Sequence, residues 1–165
     1  MYSPTEDFIR QLMHPVKFRM FLLSKLPSAF FSGLRLKALD PGKSLVTVPH
    51  TWFSKNPFRS TYFACLAMAA EMSTGVLALV HCHHRQPSVS MLVVNLQAEF
   101  YKKATGLTSF RCEEGSLIGE AVEQAVASGQ GQTVVVKSTG TNQAGEKVAE
   151  FLITWSFKAR SRSVA

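Results

Sequence analysis

From about Ser60 to Val80 the chain has almost no polar side, and this stretch limits the fold more than any other. Cys65, Leu66, Met68, Met72, Val76 and Leu79 recur at helical spacing, with Ala64, Ala67, Ala69, Ala70, Gly75 and Ala78 between them. A helix that is apolar on every side has to be enclosed. Small residues let another layer approach it closely, as a sheet wrapped around it would. One acid, Glu71, stands in the middle of the run, and Ala64, Ala67, Met68, Gly75 and Ala78 share its helical face. Burying an ionised carboxylate without a partner costs several kcal/mol. Glu71 therefore pairs with a donor, stays protonated at a raised pKa, or lines a cavity that substrate and water enter. The plainer alternative is that the helix surfaces there and the acid is solvated.

The flanking sequence supplies the enclosing layer. Residues 5–26 read as a helix with Thr5 as N-cap and Pro15 as a kink or break. Two alternating runs flank Asp40-Pro41-Gly42-Lys43, which is the pattern of a hairpin. The stretch 88–101 is a long strand, and 106–114 can pair with it after the turn near Gly106. Ser116 can cap a short amphipathic helix through Ala127, and Gly129 stands at its stop. Two further strands close the chain around a turn at Asn142-Gln143-Ala144-Gly145. The expected class is α+β, with one antiparallel sheet and one helix buried against it. No internal repeat or second domain is visible, so residues 1–165 read as one domain with a helical extension over 1–32 and a short basic tail over 158–165.

Charge and cysteine content narrow the function classes. The net charge of +7 suits an anionic partner, but the basic residues are scattered and form no known nucleic-acid-binding motif. Nucleic acid is accordingly the distant rival. Three cysteines at irregular spacing do not make a disulfide framework and point to a reducing compartment, hence the cytoplasm. The N-terminus opens acidic, without the basic start of a secretory signal. The apolar runs read as too short or too interrupted for a span of about 20 residues, and no membrane association is expected. The run His81-Cys82-His83-His84 has donor atoms but not the spacing of a tetrahedral site, so no metal is expected and the histidines read as companions of a helix C-terminus. Cys65 reads as a core residue, and Cys112 has no base beside it to make it a nucleophile.

One spacing carries a family resemblance. Asn56 stands fifteen positions before Glu71, Tyr62-Phe63-Ala64 opens the helix, and Phe100-Tyr101-Lys102-Lys103-Ala104-Thr105-Gly106 closes the long strand. These features resemble the hotdog fold, a curved antiparallel sheet wrapped around one long central helix. Within it they resemble the phenylacetate-pathway (PaaI-like) thioesterases and a related hotdog branch of unknown function, over nearly the whole chain. The resemblance implies an acyl-CoA thioesterase in which the backbone amide of Phe63 or Ala64 polarises the thioester carbonyl. Glu71 would activate water or attack directly, and Asn56 would orient the water or the carbonyl. Arg59, Lys102 and Lys103 would meet the phosphates of coenzyme A, and Tyr62 would border the substrate. Trp52 and Phe53, in the loop before Asn56, read either as walls of an acyl pocket or as plain packing. No cofactor is implied beyond coenzyme A as part of the substrate, and the site would form between subunits of a homodimer, with a tetramer as the larger option. The sequence departs from the family where His-Gly-Gly is replaced by Tyr62-Phe63-Ala64. That departure leaves a non-catalytic acyl- or acyl-CoA-binding protein as the alternative.

Overall fold

A computed structural model describes residues 3–160. Three helices come first: α1 (Pro4–Met13), α2 (Pro15–Lys25) and α3 (Pro27–Phe31). Then follow β1 (Arg35–Leu39), β2 (Ser44–Val48), α4 (Phe63–Cys82), β3 (Val89–Phe100), β4 (Thr108–Cys112), α5 (Gly115–Ser128), β5 (Gln132–Thr141) and β6 (Lys147–Ala159). The six strands form one sheet in the order β1-β2-β4-β5-β6-β3, every neighbouring pair antiparallel.

The segment expected to be a central helix is α4, 20 residues long. It lies against β2, β4, β5 and β6, and α5 packs beside it on the same side of the sheet. The sheet curves around α4 with Val46, Phe110, Val136, Phe151, Ile153 and Phe157 fully buried beneath it. By length and hydropathy α4 also meets the requirement for a bilayer span, which the sequence reading denied to any run. Its burial in the hollow of the sheet accounts for that apolar character.

Polar groups fix the helix in register. Ser73 Oγ meets Ser138 Oγ on β5 at 2.7 Å, and the Trp155 indole N–H on β6 donates to Thr74 Oγ1 at 2.9 Å. Each satisfies a polar group that would otherwise be costly in an apolar core.

Local details correct several expectations. The N-terminal helix is two helices, because Pro15 has no amide to continue α1 and instead opens α2. The N-cap of α1 is Ser3 rather than Thr5: Ser3 and Glu6 bond reciprocally as a capping box around Pro4. The turn at Asp40 forms as expected, with Asp40 Oδ1 accepting the amides of Gly42 and Lys43. Strand β4 pairs with β2 and β5, not with β3, whose partner is β6. The cap of α5 is Glu114 rather than Ser116, and the Glu114 carboxylate takes the Lys137 amide of β5 at 2.6 Å. Gly129 ends α5 in the left-handed region at φ 67°. The basic tail begins inside β6, and its part beyond residue 160 lies outside the described residues.

Candidate active site

The loop from β2 to α4 is built around Asn56. Its side-chain oxygen accepts the amides of Phe58 at 3.0 Å and Ser60 at 3.1 Å, and the Ser60 hydroxyl at 3.2 Å. The Asn56 amide donates to the Ser60 carbonyl at 2.8 Å, which closes the loop. Arg59 is held in the left-handed region at φ 61°, a conformation that a long side chain adopts only where its surroundings impose it.

The loop delivers Tyr62 as the N-cap of α4, in extended conformation and without a side-chain cap bond. The Tyr62 carbonyl accepts the Cys65 amide at 2.9 Å. The amides of Phe63 and Ala64 meet no acceptor among the described residues. They are the unclaimed donors that a helix start leaves, at the positive end of its dipole. A cavity of about 570 Å³ opens at this helix start, bordered by Asn56, Phe58, Tyr62, Phe63, Lys102 and Lys103 but not by Ala64. The lysines reach it because the Thr61 amide donates to the Ala104 carbonyl at 2.7 Å, tying the segment after β3 to the start of α4. Lys102 is ion-paired to Glu146, and the Lys102 ammonium holds that carboxyl below the usual carboxylate range. Lys103 has no partner among the described residues.

Glu71 lies eight residues into α4 from Phe63, about 12 Å along the axis. It is half-buried, and burial alone pushes its carboxyl above the usual carboxylate range, with no hydrogen bond or countercharge among the described residues to pull it back. Gly75 makes its space: a Cβ there would stand 3.2 Å from Glu71 Oε1 and 3.4 Å from Trp155 Cζ2. The carboxyl therefore occupies the gap over Gly75, beside the Trp155 ring. That gap borders a second, smaller cavity of about 100 Å³ among Phe18, Phe21, Leu26, Gly75, Val76 and Met91.

Within one chain, Asn56, Tyr62, Phe63, Lys102 and Lys103 are thus brought together, whereas Glu71 borders the other cavity. Trp52, 79% exposed, and Arg59 border neither. Sequence reasoning missed the walls that α2 provides. The signal was available: α2 carries Val16, Phe18, Met20, Phe21, Leu22 and Leu23, interrupted by Lys17 and Arg19 alone, more than a helix with a single apolar face needs.

The other candidates are accounted for by local contacts. His81 Nε2 bonds the Pro41 carbonyl at 2.9 Å, and His83 stacks on Phe8 with ring centroids 3.8 Å apart. Among the described residues no group of three or more His, Cys, Asp or Glu gathers to hold a metal ion. Burial pushes the Cys82 and Cys112 thiols up to about 11, so both are protonated and unreactive at neutral pH.

Residues 16–157 match the family described as Domain of unknown function (DUF4442). No curated protein matches the sequence. Among solved structures, a Pseudomonas aeruginosa protein described as a probable thioesterase is similar at 21% identity and TM-score 0.74, over 91% of this chain and 99% of that one. A variant of another Pseudomonas aeruginosa protein, named as a thioesterase, is similar at 11% identity and TM-score 0.66, over 87% and 94% of the two chains. A thioesterase from Haemophilus influenzae is similar at 9% identity and TM-score 0.61, over 99% and 96%. These likenesses establish the architecture: the chain has the hotdog fold.

Proposed function

The chain belongs to the DUF4442 family, and we propose that it hydrolyses acyl thioesters, with acyl-coenzyme A as the substrate class. The observation that carries this reading is Glu71, a carboxyl without a partner among the described residues, desolvated on an otherwise apolar helix and facing a cavity. A carboxyl held above its usual range is a better proton acceptor near neutral pH than an ordinary surface acid. In the proposed reaction the Glu71 carboxylate takes a proton from water, whose oxygen attacks the thioester carbonyl. The developing oxyanion is held by the amides of Phe63 and Ala64, which meet no acceptor among the described residues. The carbon–sulfur bond then breaks, and the leaving thiolate takes the proton from Glu71. Of the two lysines that border the cavity, Lys103 is the one open to a phosphate of coenzyme A, since Lys102 is engaged by Glu146.

Because the helix start and Glu71 face different cavities of one chain, the complete site is proposed to form between two copies. Strand β3 supports this. It ends the sheet with one edge that meets no other strand among the described residues, and Leu96 and Phe100 are 41% and 50% exposed although their β6 partners Ile153 and Ala149 are fully buried. An apolar edge of this kind is covered in a stable protein, and a second copy of β3 is the self-complementary cover.

A panel of acyl-coenzyme A thioesters assayed for thiol release tests the reading, with Glu71→Ala as the control. Release by the parent that the substitution abolishes supports it, and no release from any member overturns it. A second reading is acyl binding without turnover. It is favoured by Phe63 and Tyr62, whose rings stack edge-on at 4.9 Å where small residues would leave the amides open. Under that reading Glu71→Gln leaves acyl-coenzyme A affinity unchanged.

A further inference from the structure

The cavity beside Glu71 has the composition of a site for hydrocarbon. Apart from the carboxyl, its border is made by carbon and sulfur: Phe18, Phe21 and Leu26 from the N-terminal helices, Met72 and Val76 from α4, and Met91 from β3. Methionines at two of these positions let the border adapt to an irregular guest.

We propose that this cavity holds the acyl group of the thioester, and that α2, through Phe18, Phe21 and Leu26 at its end, sets how long that group can be. The inference rests on the thioesterase reading and adds the substrate's chain length to it. Three observations converge. The cavity adjoins Glu71, so an acyl chain within it brings its carbonyl carbon to the carboxyl. The wall opposite α4 comes from a segment outside the sheet, since α2 packs chiefly on α1 and α3. The α2 side chains also differ in role. Phe18 is buried and fixes the helix in place, whereas Phe21 is 37% exposed and forms the outer end of the cavity.

Volume sets the chain length. An apolar cavity of about 150 Å³ takes a benzene ring. On that scale the present cavity, about 100 Å³, takes a chain of roughly four carbons. Longer chains must displace Phe21 or Leu26 and emerge at the surface.

The test uses coenzyme A thioethers of increasing straight-chain length, which cannot be hydrolysed, with binding to the full-length protein read by calorimetry. Each methylene that enters the cavity should tighten binding about fourfold. For the parent protein the gain should level off at roughly four carbons. Phe21→Ala should move that plateau roughly two to four carbons further, a ring's worth of space, and Phe21→Trp should move it to shorter chains. A plateau that stays in place in both variants overturns the assignment, and two substitutions of opposite sign guard against one that fails to fold. The matching thioesters, assayed for thiol release, separate this inference from the reading beneath it. Hydrolysis with an unmoved plateau removes the acyl subsite and leaves the thioesterase standing. A plateau that moves without any thiol release keeps the subsite and removes the enzyme. If no thioether binds, both fall.

Discussion

The Trp155 indole N–H donates to Thr74 Oγ1 at 2.9 Å, and that hydroxyl donates in turn to the Glu71 carbonyl at 2.9 Å. One buried relay thus joins β6 to the turn of α4 that carries the carboxyl. The same indole ring flanks the gap over Gly75 into which the carboxyl points. Trp155→Phe removes the donor and part of the ring together. The expected cost is about 1–3 kcal/mol, because the Thr74 hydroxyl loses a buried partner. Urea unfolding checks this. Activity should fall by more than the small change in folded fraction explains, since the Glu71 turn loses its lateral support.

Glu71→Gln should lower thioester hydrolysis by about 10²–10⁴-fold, the usual contribution of a positioned general base. Stability should move the other way. Burial raises the folded-state pKa of Glu71 above its unperturbed 4.5, so between those two values the unfolded chain loses the proton first. Stability of the parent therefore falls as pH rises from about 4.5 through the raised value, then levels off. The variant lacks this penalty. It should melt at a higher temperature than the parent at neutral pH, and the difference should close below about pH 4.5. Calorimetric melts across pH read both effects, and a variant less stable than the parent at neutral pH would show that Glu71 has a hidden partner.

Gly75→Ala separates helix propensity from site geometry. Alanine stabilises a helix interior by about 1 kcal/mol over glycine. Its methyl would, however, lie 3.2 Å from Glu71 Oε1, which can swing away, and 3.4 Å from Trp155 Cζ2, an ordinary contact. The expected result is a melting temperature equal to or above the parent's, with hydrolysis reduced about tenfold to a hundredfold by the displaced carboxyl.

Asn56 can be divided into its two halves. Its oxygen supports the loop through three accepted bonds, while no acceptor meets its side-chain N–H₂ among the described residues. Asn56→Asp keeps oxygens where the three donors point, so thermal unfolding should stay close to the parent's. Asn56→Ala leaves those donors unmet and should cost about 1–3 kcal/mol. If the free N–H₂ group orients water or carbonyl, both variants lose hydrolysis. If Asn56 only shapes the loop, Asn56→Asp retains it.

The architecture was legible where the signal was local. An all-round apolar segment announced α4, and Asp40-Pro41-Gly42 and Asn142-Gln143-Ala144-Gly145 announced their turns because each carries its own backbone chemistry. The expected pairing of 106–114 with 88–101 failed for a different reason. Alternation says that a segment is a strand and which residues share a face, but nothing in it selects a partner. Here residues 101–107 carry the chain from the outer edge of the sheet to its middle. The caps erred by two residues in each case: Ser3 and Thr5 are alike in chemistry, and only Pro4 and Glu6 distinguish them. At the site, the Asn56–Glu71 spacing singled out residues that border cavities, but not that they border different ones. The α2 wall lies some fifty residues upstream of Glu71 and depends on tertiary packing, to which no local pattern refers.

Asn56 and Glu71 border separate hollows of the same chain, and this makes function a matter of counting. If each working centre takes the helix start from one copy and the acid from another, two dead variants can rescue one another. Asn56→Ala and Glu71→Ala proteins, unfolded together and refolded at equal amounts, should form mixed pairs in about half of the assemblies. Each mixed pair contains one centre with both defects and one with neither, so roughly a quarter of the parent's turnover should return. A site complete within one chain would return none.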